Sequence, residues 1–385
     1  MTIANDDTER TGGGLPPAES EERIYVASQW QLMWWRFRRH KAAMVSTVII
    51  FLLIFVAVFS EFLAPYDPLA YSVAYTYAPP QRLRFSDPET GFTLRPFVYG
   101  LDSSRDPRTL RPVYTLDTER KYPIRLFVHG APYRMWGLWD TDLRLFGIDD
   151  PTGEGTLFLF GSDRQGRDVF SRTIYGTRVS MSIGLIGVFL SLVLGILIGG
   201  FSGYYDGLFD DVVQRIIEFI RSVPSIPLWM ALSAALPPSW PTIRIYFGIT
   251  IILSLVGWTG MARVVRGRFL SLRSEDFVMA AKLSGASETR IVARHMVPSF
   301  TSHIIASITL SIPEMILSET SLSFLGIGLR SPVISWGVLL QEAQNVQAVV
   351  LAPWLFLPGL FVVVTVLTYN FMGDGLRDAA DPYAR

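Results

Sequence analysis

The chain has 385 residues, half of them hydrophobic, with 34 basic and 34 acidic side chains and no cysteine. Charged residues make up 18%, below the roughly 25% usual in soluble domains, and the mean hydropathy is +0.32. This balance points to a polytopic membrane protein. It offers no electrostatic case for a nucleic-acid partner, and the lack of cysteine removes disulfides, thiolate nucleophiles and thiolate metal sites.

Residues 1–28 are polar, with Thr11-Gly-Gly-Gly14 and Pro16-Pro17, and read as a disordered cytoplasmic tail. Segment 29–65 carries the first apolar run, Ala42 to Leu63. The run starts too far from the N-terminus, and is too long, for a signal-peptide core. At about 20 residues it can cross a hydrocarbon layer of ~30 Å. Five further runs have the same capacity: Val179–Gly203, Val212–Leu236, Ile245–Val265, Thr301–Leu325 and Val349–Met372. The expected fold is therefore an all-α polytopic membrane protein with six transmembrane helices and a transmembrane domain over 177–374. A short tail, 375–385, follows.

Between the first two spans lies a polar insertion, 66–160. The runs Phe97-Val-Tyr99, Pro123 to His129 and Thr156 to Phe160 alternate as strands do, with Gly and Pro between them. They predict a small β-rich domain outside the membrane. Arg36, Arg38, Arg39 and Lys41 precede the first span, which puts the N-terminus in the cytoplasm. Six crossings place Arg263, Arg266, Arg268, Arg273, Lys282, Arg290 and Arg294 there as well, and the C-terminus with them. Arg164, Arg167, Arg172 and Arg178 run against this orientation, since they fall on the outer side beside Asp163 and Asp168.

In the second span Gly187, Ser191, Gly195, Gly199, Gly203 and Gly207 recur every four residues. Positions i and i+4 share a helix face, so this stripe suits close helix packing, within the chain or between subunits. Gly195, Gly199 and Gly203 form its centre. Asp210, Asp211, Gln214, Arg215, Glu218 and Arg221 open the third span and read as a solvated helix end. Pro313, Glu314 and Glu319 lie inside the fifth span. A carboxylate in a bilayer usually faces a bundle interior or a wet cavity, so these residues mark a pathway or hinge, unless neighbouring polar groups cap them. Five residues apart, the two carboxylates point ~140° from each other around a helix, which argues against a paired proton relay. The four histidines are scattered, which gives no metal site or cofactor, and no P-loop or nucleophile elbow occurs. The chain is expected not to be an enzyme.

The segment from Asp276 to Pro298 is polar and basic between two apolar runs. It predicts a helix over 276–284 capped by Ser274, a turn at Gly285, a second short helix behind Ser287, and a boundary at Pro298. The loop 267–298 is expected to offer a cytoplasmic handle to a partner.

These residues resemble the signature loop of permease subunits in binding-protein-dependent ABC importers, Glu-Ala-Ala, three residues, Gly, nine residues, Ile-x-Leu-Pro. Ala280, Ala281, Gly285 and Pro298 match in register, while Met279, His295 and Val297 stand where the family has Glu, Ile and Leu. Trp35 to Lys41, Leu63 to Pro68, Gly161 to Arg172, Ser323 to Gly328 with Ser335-Trp-Gly337, and Gly373 to Pro382 are similar to the C-type subunit of the dipeptide/oligopeptide permease family. The resemblance implies a type I importer permease in the bacterial inner membrane. It implies a pathway shared with a second permease subunit, two ATP-binding subunits in the cytoplasm, an external solute-binding protein, and lipid around the spans. It makes Ala280, Ala281, Gly285 and Pro298 the ATPase-coupling residues. The expected cargo is a peptide. Relatives that carry oligosaccharides or opines keep those cargoes open, and an ion-coupled secondary carrier is the alternative of a different class.

Overall fold

A computed structural model describes residues 28–87, 91–108, 111–148, 150, 155–237 and 239–380. The expected tail at 1–27 and the last residues, 381–385, lie outside this range. Helix α1 (Gln29–Arg39) opens with a capping box, in which Ser28 and Gln31 each accept from the other's backbone N–H. Its Met33 and Phe37 pack on Ala379 and Ala380 at the far end of the chain. Helix α2 (Lys41–Val58) is apolar around its whole circumference yet buries only Ala43, Ser46, Ile50 and Leu53. Phe51, Leu52 and Phe55 face outward, as on a helix whose other face meets lipid. At 1.5 Å per residue it is about 27 Å long. The short α3 (Ser60–Leu63) follows.

The helices after the insertion are α4 (Val169–Tyr205, with a π turn at Gly195–Gly199), α5 (Gly207–Ser222), α6 (Ser225–Ala234), α7 (Thr242–Leu272), α8 (Asp276–Leu283), α9 (Glu288–Ser299), α10 (Thr301–Phe324), α11 (Trp336–Gln341), α12 (Val346–Leu351) and α13 (Leu357–Ala380). Among the described residues four helices are long and apolar enough to cross a bilayer: α2, α4, α7 and α13 with its leading turn. Two of the six expected spans are not single straight helices. The third run is two helices, α5 and α6, bent by 89°, and the fifth is α9 and α10, bent by 73°. Six crossings are reached only if each bent pair counts as one. The cause of the first bend is Pro224, since the residue before a proline is pushed out of the helical region; Val223 lies at φ −86°, ψ 132°. The expected C-terminal tail is also helical as far as Ala380, with Gly375, Ala379 and Ala380 buried.

The insertion is a four-stranded antiparallel sheet in the order β1 (Arg84–Asp87), β2 (Gly91–Arg105), β3 (Pro112–Met135), β4 (Trp139–Ile148). Phe97–Tyr99 and Pro123–His129 lie in strands, but Thr156–Phe160 does not. Side chains satisfy that segment instead of a ladder: Leu157 N–H donates to the Tyr66 hydroxyl (2.8 Å) and Phe158 N–H to Gln81 Oε1 (2.7 Å).

The glycine row of α4 is pressed on α7. A β-carbon at Gly195 would lie 2.6 Å from Met261 Cβ, one at Gly199 2.3 Å from the Ala262 carbonyl oxygen, and one at Gly203 2.7 Å from the Arg266 carbonyl oxygen. Gly187 faces Met315 of α10 instead, and Gly207 has open space. The stripe therefore packs within the chain. Gly199→Leu should cost at least the ~1–3 kcal/mol of an overpacked core, because backbone rather than a flexible side chain blocks the new atoms. A lowered melting temperature of the purified chain checks this; an unchanged one shows that α4 and α7 can part freely.

Where α4 begins, charges are satisfied inside the protein. Asp163 accepts from Arg167 Nε (2.6 Å) and lies 3.5 Å from Arg172 Nε, and Arg167 also reaches Glu342 (3.0 Å). Arg178 pairs with Glu61 and donates to the Ala57 carbonyl (2.8 Å). Asp168 caps α4 by accepting from Ser171 N–H (2.7 Å), and burial pushes its carboxyl from 3.8 up to about 7. The folded chain therefore holds this proton more tightly than the unfolded chain, and stability falls as pH rises through that window, by on the order of 1.4 kcal/mol per unit. Asp168→Asn keeps the capping oxygen and should flatten this slope in a thermal-unfolding series between about pH 4 and 7. A slope equal to wild type would show that Asp168 stays ionised.

Candidate functional site

The loop between α7 and α10 is folded as two short helices, α8 and α9, joined by a tight turn. Helix α8 starts behind Glu275, not behind the expected Ser274, whose hydroxyl donates back to the Ser271 carbonyl (3.3 Å). Its end at Gly285 is a Schellman turn: Gly285 N–H donates to the Lys282 carbonyl (3.0 Å) and Ala286 N–H to that of Ala281 (3.1 Å). Gly285 sits at φ +72°, where a side chain would be strained. Val278 is fully buried with Tyr204, Phe269, Ile291, Met296 and Phe300, and Ala281 packs at the edge of that cluster. The other face of α8 is open: Ala280 is exposed, and so are Phe277, Met279 and Leu283, the last at 88%.

Three polar contacts tie this loop and its flanks to the long helices. The Lys282 ammonium stands 4.9 Å over the Tyr204 ring, Tyr205 donates to Glu288, and Arg273 pairs with Asp206 (2.9 Å). The Arg273 guanidinium holds the Asp206 carboxyl below the usual carboxylate range. Pro298 lies in the last turn of α9, just before the bend at Phe300. A π turn over Ile291–Met296 precedes it. Asp210 is not solvated as expected. It is buried on an ion pair with Arg266 and accepts from Ser202, while Arg215 and Glu218 form the exposed pair (2.9 Å).

A cavity of ≈ 570 Å³ opens between α4, the α5–α6 bend, α7 and α10. Ser191, Arg221, Trp229, Ser307, Ser311 and Glu314 are among the residues that line it, and Glu314 is the one acid on its wall. A second cavity of ≈ 370 Å³ is lined by Pro313, Glu314, Ser318 and Asn370. Glu319 is not in either. It is fully buried, and its Oε1 accepts from Ser323 and Ser335 hydroxyls, both at 2.8 Å. Pro313, Glu314 and Glu319 are therefore not one constellation: the first two border cavities, and Glu319 fixes α10 to the start of α11. The signal that separates them was available in the sequence as their ~140° offset. Arg221 on the cavity wall had no sequence signal of its own. Among the described residues no group of three His, Asp or Glu is placed to hold a metal ion.

The family model for the inner membrane component of binding-protein-dependent transport systems matches residues 191–385. The model for the N-terminal transmembrane domain of oligopeptide transport permease C matches residues 28–80. The oligopeptide transport system permease protein OppC of Bacillus subtilis (strain 168) is 37% identical over 227 residues, 59% of this chain and 72% of that protein. OppC of Salmonella typhimurium is 39% identical over 269 residues, 68% of this chain and 84% of that protein. The dipeptide transport system permease protein DppC of Lactococcus lactis subsp. cremoris is 31% identical over 382 residues, 96% of each chain, an alignment that must run through the insertion. Among solved structures, a chain of the inward-facing MetNI methionine ABC transporter aligns at 17% identity and a TM-score of 0.43, covering 55% of this chain and 97% of that one, a likeness too loose to carry a structural argument. The chain belongs to the family of binding-protein-dependent transport system inner membrane components and, within it, to the dipeptide/oligopeptide ABC permeases.

Proposed function

We propose that this chain forms half of the translocation pathway of an ATP-driven peptide importer. A second permease subunit supplies the other half, two cytoplasmic ATPases supply the energy, and an external binding protein delivers the cargo. The observation that carries this reading is the shape of α8. Its buried face is locked to α4, α7 and α9, and its free face offers Phe277, Ala280 and Leu283 to something outside the chain. Exposed apolar residues on a short helix in a polar loop fit a partner's groove.

A push on α8 passes through Val278 and the Tyr204 contact to the ends of α4 and α7, and through α9 to the bend at Phe300. Rigid-body rocking of α10 against α4 and α7 then opens or closes the Glu314 cavity, a two-state element biased by its partner. The orientation with both termini in the cytoplasm gains support from the ion pairs. Arg167, Arg172 and Arg178 are matched by Asp163, Glu342 and Glu61, so they add little free positive charge to the outer side.

The cavity also suits the cargo. Its wall carries one carboxylate, Glu314, and one guanidinium, Arg221, and a free-ended peptide carries one charge of each sign. Glu319 sits apart in the core on Ser323 and Ser335, so the two acids of α10 do not form the pair an ion-coupled carrier would use there.

Leu283→Asp alters a side chain that touches almost nothing, so stability should stay within about 0.5 kcal/mol. ATPase subunits should nevertheless copurify poorly and uptake should fall. Normal uptake by this variant would remove α8 as the socket. Glu314→Gln should lower the maximal uptake rate of a free-ended dipeptide about tenfold, the scale of one lost charged hydrogen bond, and spare an N-acetylated analogue. Equal losses for both peptides would show that Glu314 does not meet the ammonium group.

A further inference from the structure

Among the described residues of the insertion three non-glycine residues have positive φ, and two of them, Trp136 and Phe127, bring aromatic side chains to the end of α2 and to α3. Strands β3 and β4 are joined by Trp136, Gly137 and Leu138, in a turn closed by Leu138 N–H donating to the Met135 carbonyl (2.9 Å). Its central residues, Trp136 and Gly137, sit at φ 51° and 72°. A turn of this kind favours Asn-Gly, and a bulky residue in the left-handed region costs roughly 1–2 kcal/mol. The Trp136 indole N–H donates to the Val58 carbonyl at the end of α2 (2.7 Å). Its ring lies 5.7 Å from Phe59 and 5.4 Å from Trp139. The second outlier, Phe127 at φ 57° in β3, sets its ring 6.3 Å from Phe62. Strain of this kind persists where the surroundings over-determine it and signals a use for the side chain.

The outward surface at this spot is apolar. Leu138 is 73% exposed, Phe127 61% and Trp139 52%. Behind the tip come polar pairs, Arg134 with Asp140 and His129 with Asp142, both at 2.9 Å. Phe59, which meets Trp136, also lies 4.8 Å from the Phe55 ring, on the face of α2 where Phe51, Leu52 and Phe55 are exposed. A hairpin with an apolar aromatic tip and charges one step behind it, fixed to the last turn of a spanning helix, has the layout of an interfacial anchor.

We infer that the β3–β4 hairpin tip is seated in the bilayer, at the boundary between head groups and acyl chains, on the side where α2 ends. This rests on the reading that α2 crosses the membrane. The hairpin then acts as an outrigger that holds the sheet at a fixed height over the pathway, and Trp136 is the pin between them.

The chain lacks cysteine, so single labelling sites can be introduced without background. Leu138→Cys, Ser103→Cys at the other end of β3's pairing with β2, and Leu52→Cys on α2 are each labelled with an environment-sensitive fluorophore in the full chain in lipid nanodiscs. Nitroxide lipids and aqueous iodide serve as quenchers. The expected result is that the label at 138 behaves like that at 52, quenched several-fold more by nitroxide lipid than the label at 103. A label at 138 quenched by iodide as readily as at 103, with 52 still in lipid, overturns the anchor and leaves the spanning reading intact. A label at 138 shielded from both quenchers also overturns it, in favour of a protein partner. A label at 52 open to iodide removes the spanning reading and the anchor together.

Discussion

The backbone contact between α4 and α7 is the constraint on which the other features depend. Between helices in lipid, burial of apolar side chains gives no net drive, so association relies on close packing and interhelical hydrogen bonds. The row Gly195, Gly199, Gly203 lets main chain meet main chain. One turn further along, Ser254 Oγ donates to the Gly187 carbonyl (3.0 Å) and Ser191 Oγ to the Ser254 carbonyl (3.3 Å). With those two helices fixed, Ser202, Asp210 and Arg266 come together at one end, and Tyr204 is presented to α8. The cavity lies beside the seam, where α5 and α6 bend away.

Electrostatics follows the same division. Groups at the ends of α4 are paired inside the chain: Arg167 and Arg172 with Asp163, Arg178 with Glu61, Asp210 with Arg266. Near a bilayer an unpaired charge is costly, and removing one partner of a buried pair costs more than the pair contributes. These pairs therefore fix geometry more than they add stability. Glu314 and Arg221 stand outside these pairs, on the cavity wall.

Much of this was legible in the chain itself. The apolar runs located the long helices, because length and composition alone decide what can cross hydrocarbon. The four-residue spacing of glycine showed a close contact, but not its partner, since a stripe specifies a face and not what covers it. Gly285 was readable as a helix end because only its missing Cβ suits φ +72°. The bend at Val223 could have been read from Pro224, but a hydropathy run does not distinguish one helix from two. Thr156–Phe160 alternated like a strand and is not one, because Tyr66 and Gln81, distant in sequence, took its backbone bonds. Asp210 looked solvated for the same reason: its partner Arg266 is 56 residues away.

The two glutamates of α10 show how one helix serves both requirements. At about 100° per residue, a spacing of five turns the second carboxylate ~140° from the first, so both cannot face the same space. Glu319 faces the core, where Ser323 and Ser335 satisfy one of its oxygens and Trp336 beside it bonds α4 through Ser180 and Thr173. That side of α10 must stay put. Glu314 faces the cavity, one residue after Pro313, which cannot donate to the carbonyl of Thr309 four residues back. The missing bond makes the helix easiest to flex between its anchored end at Glu319 and the bend at Phe300. Under the proposed mechanism, a force entering through α8 and α9 would be spent at Pro313, and the side chain it would displace most directly is Glu314.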